Sequence, residues 1–244
     1  MRREILLVFA LSLGASGVYA IVALGAKLTS GQPLGSTSTS INNSKAPPSR
    51  PTLDLIYQLL SIGFALVPVL LAWHFIGVAG ERASAVLGID ASQPGRDLAR
   101  GAVLAALVGG TGLGAYVIAR HLGMNVSVIA SGLPAVWWRL PVLILFAIEN
   151  ALLEEVLLAY LLSRLDRLGW KPWPAVALAA VLRGSYHLYQ GFGAFLGNAV
   201  MGVLFGRLYQ RWGRALPMII AHALIDSVAF VGWVLLADKL PWLH

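Results

Sequence analysis

The stretch Phe146-Ala-Ile-Glu149-Asn150-Ala-Leu-Leu-Glu154-Glu155-Val-Leu-Leu-Ala159-Tyr-Leu-Leu162 decides how this chain is read. It is apolar on every side, as a helix in lipid or in a large core is. Yet it carries three carboxylates and an amide, and ionisable groups inside a membrane cost a few kcal/mol each on insertion scales, so each is a functional candidate. Composition decides between lipid and core. The 244 residues are 58% hydrophobic and 12% charged, with mean hydropathy +0.75. Soluble domains carry roughly 25% charged residues, so this chain holds too little charge to cover a soluble core of its own. Cysteine is absent, which removes disulfides, thiolate metal sites and a cysteine nucleophile. The net charge of +7 comes from basic residues scattered between apolar segments rather than gathered in one run. That is a membrane-topology pattern, and nucleic acid is not an expected partner.

A membrane helix needs roughly 20 mostly apolar residues. Seven segments meet that need, at about 4–26, 54–79, 98–119, 138–162, 174–190, 193–210 and 215–237. The expectation is an all-α polytopic membrane bundle of seven transmembrane helices. Residues 1–137 form its N-terminal helices and loops, and 138–240 a four-helix core. Residues 29–50, rich in Ser, Thr, Asn, Gly and Pro, read as a flexible extramembrane loop. Eleven Lys and Arg fall on the side of Arg2 and Arg3 and six on the other, which puts the N-terminus in and the C-terminus out. Arg2-Arg3 and Val18-Tyr-Ala20 also suit a signal peptide, but the apolar run continues through Ala26, so a retained anchor is expected.

Polar residues are sparse in the first three segments, with Asp54 and His74 near ends, and dense in the last four. Asn150, Glu154 and Glu155 lie on the fourth segment, and Arg183, Tyr186 and His187 on the fifth. Asn198 lies on the sixth, His222 and Asp226 on the seventh. Residues four apart share a helix face, so Asn150 aligns with Glu154, Arg183 with His187, and His222 with Asp226. Their depths along the segments allow one polar pocket in the inner half of the bilayer. Blander readings apply to several positions. Glu149, one turn nearer the outer interface, is read as facing water. Asn198 suits interhelical glue, and Arg183 suits a buried counter-ion to Glu154 or Glu155. Gly193, Gly197, Gly202 and Gly206 form two small-xxx-small patterns for close helix packing.

Glu154-Glu155, then Arg183-Gly-Ser-Tyr186-His187, then His222-Ala-Leu-Ile-Asp226 resemble, in order and spacing, the three motifs of the CPBP intramembrane proteases. That group includes the CAAX prenyl endopeptidases. The resemblance covers roughly 145–235 and implies peptide-bond hydrolysis, with Glu154, Glu155, His187, His222 and Asp226 catalytic. Arg183, Asn150, Tyr186 and Asn198 would support them. Two positions depart from the pattern. Ala159 stands where the first motif usually has an Arg that supports the glutamates, and Arg183 replaces an aromatic residue. Arg183 is therefore expected to supply the missing charge from the neighbouring helix.

The implied chemistry makes Glu154 the base that takes a proton from water, with Glu155 holding the network and His187 orienting or sharing the proton. His222 and Asp226 would stabilise the oxyanion. A single zinc on Glu154, His187 and His222 is the other version, since two His and a carboxylate form a catalytic zinc site. There is no His-Glu-x-x-His, and the metal-free version is favoured. Expected partners are membrane lipid and a peptide or membrane-protein substrate, in a bacterial cell membrane. A proton-coupled transporter built on the same buried groups, or a non-catalytic scaffold, are the readings from other classes.

Overall fold

The computed structural model describes residues 1–239, so the far end of the 138–240 segment lies outside the described residues. The helices are α1 (Arg2–Ala10), α2 (Leu13–Leu28), α3 (Pro51–Ala65), α4 (Val67–Val78), α5 (Ala83–Leu87), α6 (Pro94–His121), α7 (Arg139–Arg167), α8 (Pro172–Ser185), α9 (Phe192–Trp212) and α10 (Leu216–Leu236). Two short strands, β1 (Ser38–Asn43) and β2 (Ser127–Gly132), pair in parallel with Ser38 opposite Ser127. Proline opens α3, α6 and α8 at the first helical position, where a missing N–H costs nothing.

Four helical spans are long and apolar enough to cross a membrane: Pro51–Val78, Pro94–His121, Phe192–Trp212 and Leu216–Leu236. The pair α1–α2, bent by 48° at Leu11–Ser12, makes a fifth if it is one span. The large apolar side chains Phe64, Leu70, Val200 and Val228 stay exposed on these helices, a surface suited to lipid. The chain is therefore a helical integral membrane bundle. The count of seven is not reached on length and apolarity, for two physical reasons. The 29 residues of α7 are long enough to span, but three carboxylates sit in their middle. The 14 residues of α8 extend only about 21 Å at 1.5 Å per residue, short of a ~30 Å hydrocarbon core. The segment expected at 174–190 stops being an α-helix at Ser185, so His187 sits on the turn that follows.

The interior is organised around α7, which packs on α10, α8, α4 and α3. α8 and α9 form an antiparallel hairpin, and α2 lies along α8 and its following turn. Leu157, Tyr160, Val176, Ile76 and Met218 are fully or nearly fully buried there. Gly202 and Gly206 do let α9 approach its neighbours. A Cβ on Gly202 would sit 2.8 Å from Ala180 Cα, and Gly206 faces Val176 and Leu162. Gly193 is likewise close-packed, with a Cβ there 2.6 Å from Ala119 Cβ, and of the four glycines Gly197 alone meets nothing within 4 Å.

The loop at 29–50 is more structured than its composition suggests. It contributes β1, which lies beside β2 because α2 and α6 deliver their C-termini to the same end of the bundle. The long α3–α6 crossover satisfies the connection that a parallel pair needs. Ser38, Ser40, Asn42 and Asn43 outnumber the two strand formers Thr39 and Ile41, which hid it. Buried Asp54 ties the loop down, accepting hydrogen bonds from Ser44 Oγ (2.7 Å), Lys45 N (2.8 Å) and Gln58 Nε2 (2.9 Å). The turn after α8 belongs to this strand end. Val126 N donates to Gln190 O at 3.0 Å, and Asn125 Oδ1 accepts from Ala194 N at 2.9 Å, capping α9 from another segment. Gly191 closes that turn with φ 115°, and a Cβ there would lie 2.4 Å from Met124 O.

The opposite, basic end is held by ion pairs. Arg164 Nη2 meets Glu81 Oε2 at 2.6 Å, with Arg167 on the other oxygen. Arg214 Nη2 meets the fully buried Asp97 at 2.6 Å and its Nη1 meets Asp90 at 3.0 Å. The Ser92 hydroxyl and backbone N–H, then Arg214, hold the Asp90 carboxyl down from 3.8 to about 2. A depressed pKa stabilises the fold above the unfolded value and ceases to do so as pH falls through the folded one. The melting-temperature gap between wild type and Asp90→Asn is therefore expected to be constant above pH 3.8 and to close as pH approaches about 2. A gap that persists at low pH would show that Asp90 acts by packing alone.

Candidate active site

Three elements place polar groups at one point inside the bundle. α7 supplies Asn150, Glu154 and Glu155. The last turn of α8 and the residues after it supply Arg183, Tyr186 and His187. One face of α10 supplies His222 and, four residues on, Asp226. Arg183 is the hub and is fully buried. Its Nη1 donates to Glu155 Oε1 at 2.6 Å, and its Nη2 lies 3.4 Å from Glu154 Oε2 and 3.4 Å from His222 Nδ1. The Phe205 ring lies 5.6 Å from the guanidinium carbon, while Arg183 Nε is buried with no partner.

The proton positions follow from which atoms can donate. His222 Nδ1 is 2.8 Å from Glu155 Oε1, closer than to Arg183, so it donates to the glutamate. Its Nε2 stands 3.6 Å from Asp226 Oδ2, which also accepts from Asn150 Nδ2 at 3.3 Å. His187 Nδ1 lies 3.0 Å from the Arg183 carbonyl oxygen. A carbonyl only accepts, so Nδ1 carries the proton and Nε2 keeps a lone pair. The ring leans on Tyr186 at 4.8 Å, and Tyr186 OH donates to Glu154 Oε2 at 2.9 Å. His187 is within electrostatic reach of Glu154 and His222. Glu154 Oε1 has no hydrogen bond among the described residues, and the Glu154 side chain keeps 13% exposure.

The sequence-derived residues therefore divide. Glu154, Glu155, Arg183, Tyr186, His222, Asp226 and Asn150 form one connected network, and His187 stands beside it. Asn198 does not join: its amide bonds back to Ala194 O, 3.0 Å away on its own helix. His222 is tied to Glu155 more tightly than to Asp226, so Asp226 is not the group that fixes its ring. Glu149 does not face water. It is 5% exposed, and its helix face, shared with Leu153 and Val156, is apolar, which was the signal available in the sequence. Arg183 contacts both Glu154 and Glu155, the pair that an arginine at position 159 was expected to support. Ala159 is buried beside Glu155, lining a void of about 20 Å³ with Gly202, Phe205 and Gly206.

A divalent metal has a nominal ligand set. One atom each from Glu154, Glu155 and His222 lie within 4.8 Å of one another, and His187 is outside that set. The set does not fit a metal, because Arg183 already contacts all three residues. A guanidinium keeps its charge, so a dication among the same atoms would meet a buried like charge at close range. The carboxylates are arranged as partners of an internal cation.

Residues 136–228 match the family model for Rce1-like type II CAAX prenyl endopeptidases. No curated protein and no solved structure matches the chain. The matched segment runs from the start of α7 into α10 and contains every member of the network. The bundle thus carries, in residues 136–228, a domain of the Rce1-like type II CAAX prenyl endopeptidase family, within the CPBP intramembrane proteases.

Proposed function

We propose that the protein is a membrane-embedded endopeptidase that hydrolyses peptide bonds of membrane-associated or apolar substrates with a water activated by Glu154, without a metal. The observation that carries this reading is the state of Glu154. Oε2 is held by Tyr186 and Arg183, whereas Oε1 has no hydrogen-bond partner among the described residues. A base must be positioned and still have an acceptor to offer.

In this reading a water lies between Glu154 Oε1 and the lone pair of His187 Nε2. Glu154 takes one water proton as the oxygen attacks the scissile carbonyl carbon, and the carbonyl oxygen takes up the negative charge. Asn150 Nδ2 is one donor for it, and His222 Nε2 is the other, with the ring protonated on both nitrogens between the carboxylates of Glu155 and Asp226. Both now reach Asp226 only over long contacts of 3.3 and 3.6 Å, which a stronger acceptor can take over. As the C–N bond breaks, Glu154 returns its proton to the amine nitrogen. Glu155 and Arg183 touch no reacting atom; they hold His222 and Glu154 in place.

The basic end, with Arg82, Arg96, Arg100, Arg164, Arg167, Lys171, Arg207, Arg211 and Arg214, is assigned to the cytoplasmic side by its charge. The test of function is cleavage of a quenched peptide library by purified protein in detergent, where no ion gradient exists. Wild type is expected to cleave, and His187→Gln to cleave more slowly by about tenfold or more, as loss of a water-orienting acceptor does. Full activity of His187→Gln would remove that residue from the mechanism.

A further inference from the structure

Four carboxylates lie in this part of the bundle, on Glu149, Glu154, Glu155 and Asp226. The permanent cation among them is Arg183, and the imidazole closest to them is His222. Those two are already engaged with Glu154, Glu155 and Asp226. Glu149 is left over. It is 5% exposed and makes no hydrogen bond or ion pair with any described residue. Glu154 and Asp226 both act on its charge from within the network. The cation that acts on it is Lys45, an exposed side chain on the loop pinned by Asp54, and the two form no ion pair. The oxygens of Glu149 are not among the side-chain atoms sealed away without a partner, so the little surface the residue keeps includes its carboxylate. A nearly buried carboxylate without a protein partner persists where something else satisfies it.

We infer that Glu149 is a specificity residue, the acidic floor of a subsite for a basic side chain of the substrate, an ammonium or guanidinium entering from the strand end. This rests on the protease reading of the neighbouring site. Glu149 lies five residues from Glu154 toward the strand end, a rise of about 7.5 Å and about 140° round the helix. An extended peptide advances about 3.3 Å per residue, so the basic residue sits at least two positions from the scissile bond. The long stem of a Lys or Arg packs against apolar walls while its head meets the carboxylate. Lys45 is the group such a side chain displaces electrostatically.

The experiment uses fluorescent nonapeptides of Ala and Leu in which Lys, norleucine or Glu is stepped through each position. Binding to the intact Glu154→Gln protein in detergent is read by anisotropy, so the result does not depend on turnover. At one position Lys is expected to bind at least tenfold more tightly than norleucine, and Glu more weakly. Glu149→Gln in the same background erases the difference, and Lys45→Gln, a change at an exposed side chain, widens it. Sodium chloride that competes no better than choline chloride of equal strength shows that the site takes the peptide's cation rather than a free one. Equal binding of Lys and norleucine at every position overturns the proposal, and so does a preference that survives Glu149→Gln, since Glu149 would then be a neutral buried acid. Charge-selective binding with no cleavage by wild type would sink the protease reading and leave the subsite standing. Cleavage indifferent to charge would do the reverse.

Discussion

Replacing Glu154 with Gln is expected to lower the rate of peptide cleavage by 10²–10⁴, the range that a positioned general base contributes, while the protein stays folded. The substitution keeps the shape of the side chain and lets its carbonyl still accept from Tyr186, which donates to Oε2 at 2.9 Å. What is lost is the acceptor that takes the water proton. Binding of peptide should change little, so the effect falls on kcat rather than KM. A variant that retains cleavage within a factor of a few would place the base elsewhere, with Glu155 the remaining carboxylate nearest the network centre.

Arg183→Ala is the second large effect, and it tests the departure from the family pattern. Arg183 and Glu155 are both buried and meet at 2.6 Å. Removing one member of a buried pair costs about 3–5 kcal/mol, because the other charge is left without compensation. Loss of activity and a lower melting temperature are expected together. Adding Ala159→Arg returns a guanidinium to the other side of Glu155, where Ala159 lines a small void. The deleted Arg183 side chain, which lies close to Gly202, frees further volume there. Partial recovery of both melting temperature and cleavage is the expected result. A double variant that folds but recovers neither would show that the charge must come from α8.

Much of this site was legible because helical spacing is rigid. Arg183, His222 with Asp226, and Asn150 with Glu154 share faces by arithmetic alone, and the structure brings those faces together. Other features depended on breaks that periodicity does not report. The end of α8 at Ser185 puts His187 on a turn, where Nδ1 bonds the Arg183 carbonyl and the ring rests on Tyr186. β1 was hidden among serines and asparagines and β2 by its shortness, and their pairing joins segments about ninety residues apart in sequence. Glu149 was misread because distance from the interface was used where the apolar company of its face was the better guide.

The proposed reaction needs no metal, with the Arg183 guanidinium in contact with Glu154, Glu155 and His222. The most direct measurement is the cleavage rate of wild-type protein after exhaustive dialysis against a chelator, with bound metal quantified on the same sample. An unchanged rate is expected at metal contents far below one ion per chain. A rate that falls with the metal and returns on adding zinc would contradict a reaction without metal.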